Sequence, residues 1–238
     1  MNTRATIGQA PALAWTVACP PSSTEAVYPG WVYGGSRGSP STDSRLEAAG
    51  AVAAQLDSAR VHGAIAFGDG WEPFGYGRKS FRIDTVRVDP LGAPRRDLEP
   101  AHLFSLGAVA GVLAAPEGTT AGGCDGPDRA GGLPAWVEVL GQSPPGWRSA
   151  VGEALWTRHA EAAWRRALER ALVQLALAEE VTVRSLRKLW EDGGSDGDVA
   201  MATLEVDAIL RGVRLLGLHY SPETRSVYVW VGVRQTSG

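Results

Sequence analysis

Apolar and polar positions follow their clearest pattern in the second half of the chain. Across residues 157–178, apolar side chains recur at every third or fourth position, which predicts a long helix with one apolar face. That face comprises Ala160, Ala163, Trp164, Ala167, Leu168, Ala171, Leu172 and Leu175. The opposite face carries charges such as Glu161 and Arg165, four positions apart in the order that favours an ion pair, so we expect it to be solvated.

The rest of the second half predicts strands and one further helix. Residues 147–155 have the pattern of a strand, and the chain ends in a predicted β-hairpin, residues 213–220 and 227–234. In the last strand four valines alternate with Tyr228, Trp230 and Arg234, so one face is aliphatic and the other half aromatic. After a predicted N-cap at Asp198, apolar residues at helical spacing predict a helix that ends at Gly212.

The first half predicts a helix packed on a sheet. The helix spans residues 45–59, with Asp43 or Ser44 as its N-cap. Its apolar face comprises Leu46, Ala49, Ala53 and Leu56. Strands rich in β-branched and aromatic residues are predicted at 31–33, 61–67, 80–88 and within 103–113.

These elements predict the α+β class, as a small antiparallel sheet packed by two helices. We expect two related domains, residues 29–115 and 133–238, joined by a linker at 116–132 that is rich in Gly, Ala, Pro and Asp. The first domain is interpreted as a degenerate copy of the second. The matched segments are Pro29, Gly30, Trp31 and Val32 with Pro134, Ala135, Trp136 and Val137.

The first 28 residues have the outline of a lipoprotein signal followed by a tether. A mildly apolar stretch precedes Cys19, with Thr16 in the place that such signals usually give to Leu. A polar segment that cannot bury apolar area follows the cysteine. Two interpretations are open: lipidation of Cys19, or an ordinary disordered N-terminus in which Cys19 is inert.

Composition excludes several classes of function. Hydrophobic residues make up 44% and charged residues 21%, which is typical of a folded globular chain. The net charge of −3 and pI of about 5.8 give no basic field, so nucleic acid is not an expected partner. No apolar run is long enough to span a bilayer, so we expect membrane contact only through a lipid anchor.

Candidate chemistry is sparse. The four histidines are scattered, and no known catalytic, phosphate-binding or metal-binding motif occurs, so we expect neither an enzyme nor a cofactor. The loop at residues 192–198 fails as a calcium site because Gly194 and Thr203 stand at ligand positions. Five aromatic residues are candidate binding residues: Trp71, Phe74 and Tyr76 in a predicted loop at 68–77, and Tyr228 and Trp230 in the last strand.

The second half resembles a known family. The segment Pro134, Ala135, Trp136, the strand that ends at Val151 and Gly152, the Ala-rich helix and the terminal hairpin resemble the Lpp-twenty type of bacterial surface lipoprotein. That family is similar in turn to the N-terminal module of flagellar assembly protein T. The resemblance covers residues 133–235 and implies a lipoprotein of the outer membrane or periplasm, with no catalytic residues to carry over.

Three functional hypotheses follow. The leading one is a non-enzymatic envelope lipoprotein, anchored through Cys19, that binds other envelope proteins, cell-wall material or its own copies. The second is a soluble small-ligand binding module, cytoplasmic if Cys19 is not lipidated, which a closed pocket lined by Trp71, Phe74 and Tyr76 would favour. The third is an enzyme with a dispersed site, which needs a cleft where histidine or carboxylate groups converge.

Overall fold

The structure is a computed structural model of all 238 residues. It describes residues 15–18, 27–33, 41–71, 78–106, 109–119, 133–138, 143–157, 160–179 and 200–235.

Ten strands and three helices form the described part of the chain, which confirms the α+β class. The first half contains β1 (Trp15–Ala18), β2 (Tyr28–Tyr33), α1 (Thr42–Asp57), β3 (Ser58–Trp71), β4 (Arg78–Pro90), β5 (Leu98–Leu106) and β6 (Val109–Pro116). The second half contains α2 (Ala135–Glu138), β7 (Trp147–Leu155), α3 (Ala160–Glu179), β8 (Ala200–Arg211), β9 (Arg214–Ser221) and β10 (Ser226–Arg234). No helix among these residues is long and apolar enough to cross a membrane.

The strands form three antiparallel sheets. Sheet A has the order β1-β9-β10-β7, sheet B the order β2-β6-β5, and sheet C the order β4-β3-β8. Helix α1 packs on β2 and β6, while helix α3 packs on β7 and β10. The prediction that the helix of the first half packs on a sheet is therefore confirmed.

The two halves repeat one arrangement. In each half the strand before the helix pairs with the last strand, and the last strand pairs with the one before it. Strand β2 thus corresponds to β7, α1 to α3, β3 to β8, β5 to β9 and β6 to β10, with β4 added in the first half. The predicted match of Pro29–Val32 with Pro134–Val137 is wrong, because the first segment lies in β2 and the second includes helix α2.

Two glycines mark the correspondence at the level of side chains. A Cβ atom at Gly30 in β2 would collide with the backbone of α1 at Arg45 and Ala49. A Cβ atom at Gly152 in β7 would collide with the backbone of α3 at Ala167 and Ala171. Each glycine lets its helix approach the strand closely, and in each helix the two contacted residues are four positions apart.

The halves also share one sheet and one core. Strand β3 pairs with β8 along twelve residues, from Ser58 with Arg211 to Asp69 with Ala200, so sheet C contains strands from both halves. The buried apolar residues of both halves form a single cluster. The predicted domains 29–115 and 133–238 are therefore joined through sheet C and through this cluster.

The helix predicted between Asp198 and Gly212 is wrong, because residues 200–211 form strand β8. Val206, Ala208 and Leu210 are buried while Glu205, Asp207 and Ile209 are exposed, which is a period of two and not of three to four. The prediction of a helix counted only the apolar residues at helical spacing and did not take this alternation into account. Pairing with β3 then decides the matter.

Other boundaries differ in smaller ways. The predicted loop at 68–77 is shorter, because β3 continues to Trp71 and β4 begins at Arg78. The segment 103–113 contains parts of two paired strands, β5 and β6. The N-cap of α1 is Ser41, whose hydroxyl oxygen accepts a hydrogen bond from the backbone N–H of Ser44 at 3.2 Å.

Candidate functional site

A cleft lies between helices α1 and α3, and its floor is a pair of stacked tryptophans. Trp31 from β2 and Trp164 from α3 have ring centroids 4.6 Å apart and planes only 5° from parallel. Both rings are buried. Because β2 belongs to the first half and α3 to the second, the floor exists only when the halves are together.

Two residues of sheet B, Phe104 and Gly111, contribute to the position of the Trp31 ring. Phe104 from β5 packs edge-on against it, with ring centroids 5.1 Å apart at 80°. Gly111 lies beside both rings, and a Cβ atom there would come within 3.0 Å of Trp31 Cζ3. An alanine at 111 would press on these rings, so Gly111 leaves the space that the aromatic pair occupies.

The cleft has a volume of about 270 Å³. Its apolar walls come from Pro29 of β2, from Ala48, Ala51 and Val52 of α1, from Leu168 of α3, and from Leu218 and Val229 of sheet A. Gln55, Glu161 and Arg165 form a polar part of the lining. We call this site the α1–α3 cleft.

The polar part of the lining contains one acidic side chain, Glu161, and one basic side chain, Arg165. Arg165 Nε lies 3.9 Å from Glu169 Oε1 in the next turn of α3. Burial raises the pKa of Glu169, while the guanidinium groups of Arg165 and Arg166 act in the opposite direction. Glu161 and Arg165 are exposed, so a polar group of a ligand could reach either of them from the cleft.

The lining of the cleft contains few ionisable side chains. Of the residues that line the cleft, only Glu161 and Arg165 have ionisable side chains, and the lining has no cysteine, serine or histidine. Elsewhere the described histidines lie apart: His62 contacts Asp207 at 3.3 Å in sheet C, His102 lies in sheet B, and His219 lies in sheet A. Among the described residues no three candidate metal ligands come together.

Tyr228 and Trp230, two of the predicted binding residues, lie on the outer face of sheet A. Trp136 from α2 stacks on Trp230, with centroids 5.3 Å apart at 14°. The Tyr228 hydroxyl donates to Glu153 Oε1 at 3.2 Å, and the Ser226 hydroxyl donates to the same oxygen at 2.7 Å. Helix α2 of the second half thus packs on the half-aromatic face of the last strand, and a binding role for Tyr228 and Trp230 stays a prediction.

The edge of sheet A beside this face is formed by β1. Its Thr16 hydroxyl shares a hydrogen bond of 2.7 Å with Nδ1 of the fully buried His219. Strand β1 pairs with residues 217–220 of β9. Residues 15–18 therefore contribute a strand to the fold, although they precede Cys19 in the signal-like segment.

The remaining predicted residues fall at or beyond the ends of described segments. Trp71 is the last residue of β3 and pairs with Arg78. Phe74, Tyr76 and Cys19 lie outside the described residues, as do the side chain of Trp71, the turn at 192–198 and most of the predicted linker. Ligand binding by Trp71, Phe74 and Tyr76 and lipidation of Cys19 stay predictions.

A partly buried polar network that the sequence did not indicate anchors the segment between β4 and β5. The Tyr28 hydroxyl donates to Asp57 Oδ1 at 2.6 Å and accepts from Arg95 Nη1 at 3.2 Å. Burial, together with the hydrogen bond to Asp57, raises the pKa of Tyr28 from 10.0 to about 12. Arg95 also pairs with Asp97, so the network joins β2, the end of α1 and the chain that leads into β5.

Comparison with protein-family models, curated proteins and solved structures found no match to this chain.

Proposed function

We propose that this chain is a non-catalytic binding protein of the bacterial cell envelope, and that its α1–α3 cleft holds a small, flat, apolar ligand. The observation that carries the binding role is the stacked pair Trp31 and Trp164 at the floor of an open cavity. The envelope location rests on the sequence around Cys19 and on the resemblance to surface lipoproteins.

The shape and chemistry of the cleft support this class of ligand. Its volume of about 270 Å³ lies just below the range of roughly 300–1,000 Å³ that is common for sites of drug-sized molecules, so a ligand of one or two rings suits it. Indole rings and methyl groups favour an apolar body, which gains free energy when it displaces water from them. Gln55, Glu161 and Arg165 favour a ligand with a polar group at one end.

Calorimetric titration with 2-naphthol tests the binding role, because this probe has two fused rings and one polar group. We expect saturable binding to the wild-type protein. Ala51→Phe should weaken binding at least tenfold, since Ala51 is an exposed residue of α1 that lines the cleft and a phenyl ring there would fill it. Ala178→Phe makes the same change at an exposed position near the end of α3 that does not line the cleft, and it should bind like wild type.

Two results would overturn the binding role. The first is that wild type shows no saturable heat of binding up to millimolar 2-naphthol. The second is that Ala51→Phe and Ala178→Phe bind equally well. Circular dichroism of each variant provides the control for folding.

The envelope location makes a separate prediction about β1. Lipoprotein maturation cleaves the chain directly before the modified cysteine, so it would remove residues 15–18 from sheet A and Thr16 from its contact with His219. The mature protein would then have β9 as the edge of sheet A. A chain that keeps β1 corresponds to the alternative of an unprocessed, cytoplasmic binding module.

Intact-mass measurement of the full-length gene product after membrane fractionation separates these cases. We expect the wild-type protein in the membrane fraction, without residues 1–18 and with a mass increase of diacylglycerol size, and Cys19→Ser in the soluble fraction with residues 1–18 retained. If both proteins are soluble and intact, the envelope location is wrong. The binding role of the cleft does not depend on that result.

A further inference from the structure

We infer that strand β5 is a self-association surface, at which the β5 strands of two copies of this chain pair antiparallel about a two-fold axis. Strand β5 is an edge of sheet B and pairs with β6 on one side. An edge strand presents backbone N–H and C=O groups on its other side, and a second extended chain can pair with them. This inference goes beyond the ligand-binding role of the cleft.

The two ends of β5 differ in how well they could accept another strand. Glu99 and Pro100 lie near its beginning, and the register with β6 shifts between Pro100 and His102. A charge, a proline and a bulge are features that hinder strand addition. From His102 to Leu106 the sequence contains no Asp, Glu, Lys, Arg or Pro, so this part of the edge lacks those features.

Leu103 lies within residues 102–106 of this edge and is 52% exposed. Few large apolar side chains of the described chain expose more of their surface, and Leu103 is at an edge where a paired strand would cover it. In an antiparallel pair, side chains directly opposite each other lie within about 5.5 Å and can pack together. Leu103 of one copy could therefore pack on the same residue of the other.

The correspondence between the halves indicates that this edge geometry accepts a strand. Leu103 pairs with Val112, which pairs with Gly30, and in the second half Leu218 pairs with Val229, which pairs with Gly152. Residues 102–105 of β5 thus correspond to residues 217–220 of β9. Strand β1 pairs antiparallel with just those residues of β9.

Burial shows the difference between the two edges. Leu218, which lies next to β1 and also lines the α1–α3 cleft, is fully buried, whereas Leu103 at the corresponding position is half exposed. The strand that covers β9 comes from the same chain, and sheet B has no such fourth strand in the described part of the chain. The β5 strand of a second copy would supply it and would join two three-stranded sheets into one of six strands.

Two other edges of the described sheets, β8 and β7, are less suited to this role. Strand β8 carries Glu205, Asp207 and Arg211, and Asp207 accepts two hydrogen bonds from Arg60 of β3. At the β7 edge, Arg170 Nη1 donates to the backbone oxygen of Glu153 at 2.7 Å. Charges along an edge, or a side chain that occupies its backbone groups, disfavour the addition of another strand.

Sedimentation velocity of the full chain over a range of concentrations tests the inference. We expect wild type to be in a monomer–dimer equilibrium. Leu103→Lys should shift the dissociation constant at least tenfold toward the monomer, because two like charges would face each other across the two-fold axis. Leu155→Lys is the matched control, since Leu155 is 67% exposed at the end of edge strand β7, and it should dimerise like wild type.

A cross-linking variant gives a second measurement. In a chain with Cys19→Ser and Cys124→Ser, the further change Leu103→Cys should give a disulfide-linked dimer under oxidising conditions, and Leu155→Cys should not. A wild-type chain that stays monomeric up to several hundred micromolar would overturn the inference. So would a dimer that Leu103→Lys leaves unchanged, or one that Leu103→Cys does not cross-link.

Discussion

Two buried tyrosines differ in what their hydroxyl groups contact. The Tyr28 hydroxyl donates a hydrogen bond to Asp57 and accepts one from Arg95, and these bonds link β2, the end of α1 and the chain that leads into β5. Tyr28→Phe would leave both partners without that hydroxyl, so we expect it to lower the free energy of unfolding by about 2 kcal/mol. Urea denaturation followed by circular dichroism measures this change.

Tyr220→Phe provides the matched comparison. Tyr220 is fully buried, and its hydroxyl has no hydrogen-bond partner among the residues that the structure describes. Removing an unpartnered buried hydroxyl relieves a desolvation cost, so we expect stability to stay the same or to rise by up to about 1 kcal/mol. Equal losses in the two variants would contradict the assigned hydrogen bonds.

The raised pKa of Tyr28 predicts a dependence on pH at the alkaline end. The pKa is 10.0 in the reference state and about 12 in the folded protein, so the folded state holds this proton more tightly. The resulting stability is present below pH 10 and is lost as the pH rises to 12, a loss on the order of 2 kcal/mol. The stability difference between wild type and Tyr28→Phe should therefore shrink from pH 8 to pH 11, and a constant difference would contradict the assignment.

At the scale of elements, the close approach of each helix to its strand depends on one glycine. Gly30→Ala and Gly152→Ala would each push a Cβ atom into the backbone of a helix, and backbone cannot move aside as a flexible side chain can. We expect each substitution to lower the free energy of unfolding by about 3 kcal/mol.

The control for both glycines is Gly92→Ala. Gly92 lies between β4 and β5, and a Cβ atom there would meet nothing within 4 Å. Its stability should be within about 0.5 kcal/mol of wild type. Thermal unfolding of the three variants tests these expected stabilities. Similar unfolding midpoints for all three would show that α1 does not pack closely on β2 and that α3 does not pack closely on β7.

Most elements could be predicted from the sequence, and the exceptions have physical reasons. Helix α3 and strand β7 were predicted because their apolar periods are unambiguous over many residues. Strand β8 was predicted as a helix, because short apolar residues such as Ala202 and Val206 fit both periods and only the pairing with β3 selects one. The N-cap of α1 was misplaced because Ser41, Asp43 and Ser44 are all suitable capping residues.

At the scale of the whole molecule, the sequence predicted parts of the cleft and not the cleft itself. Trp164 belongs to the predicted apolar face of α3, and Trp31 to a predicted strand. Their contact depends on how the halves join through sheet C, which no local pattern encodes. The aromatic residues chosen as candidates stand close together in the sequence and were therefore easy to select. Trp31 and Trp164, whose rings form the floor of the cleft, are 133 positions apart.

The repeated arrangement explains why the molecule has a cleft at this place. Each half brings one helix packed on its own small sheet, and the shared β3–β8 pairing sets the halves side by side. Helix α1 and helix α3 then face a common space, with β2 and the inner face of sheet A beside it. The site is consequently a property of both halves together.

Nuclear Overhauser contacts between the two indole rings test the central claim most directly. In a protein labelled at tryptophan and assigned with Trp31→Phe and Trp164→Phe, stacking at 4.6 Å predicts strong cross-peaks between the rings of Trp31 and Trp164. Addition of 2-naphthol should shift the resonances of this pair before those of the other tryptophans. Absence of the cross-peaks, or 2-naphthol shifts confined to other tryptophans, would contradict a binding cleft built from both halves.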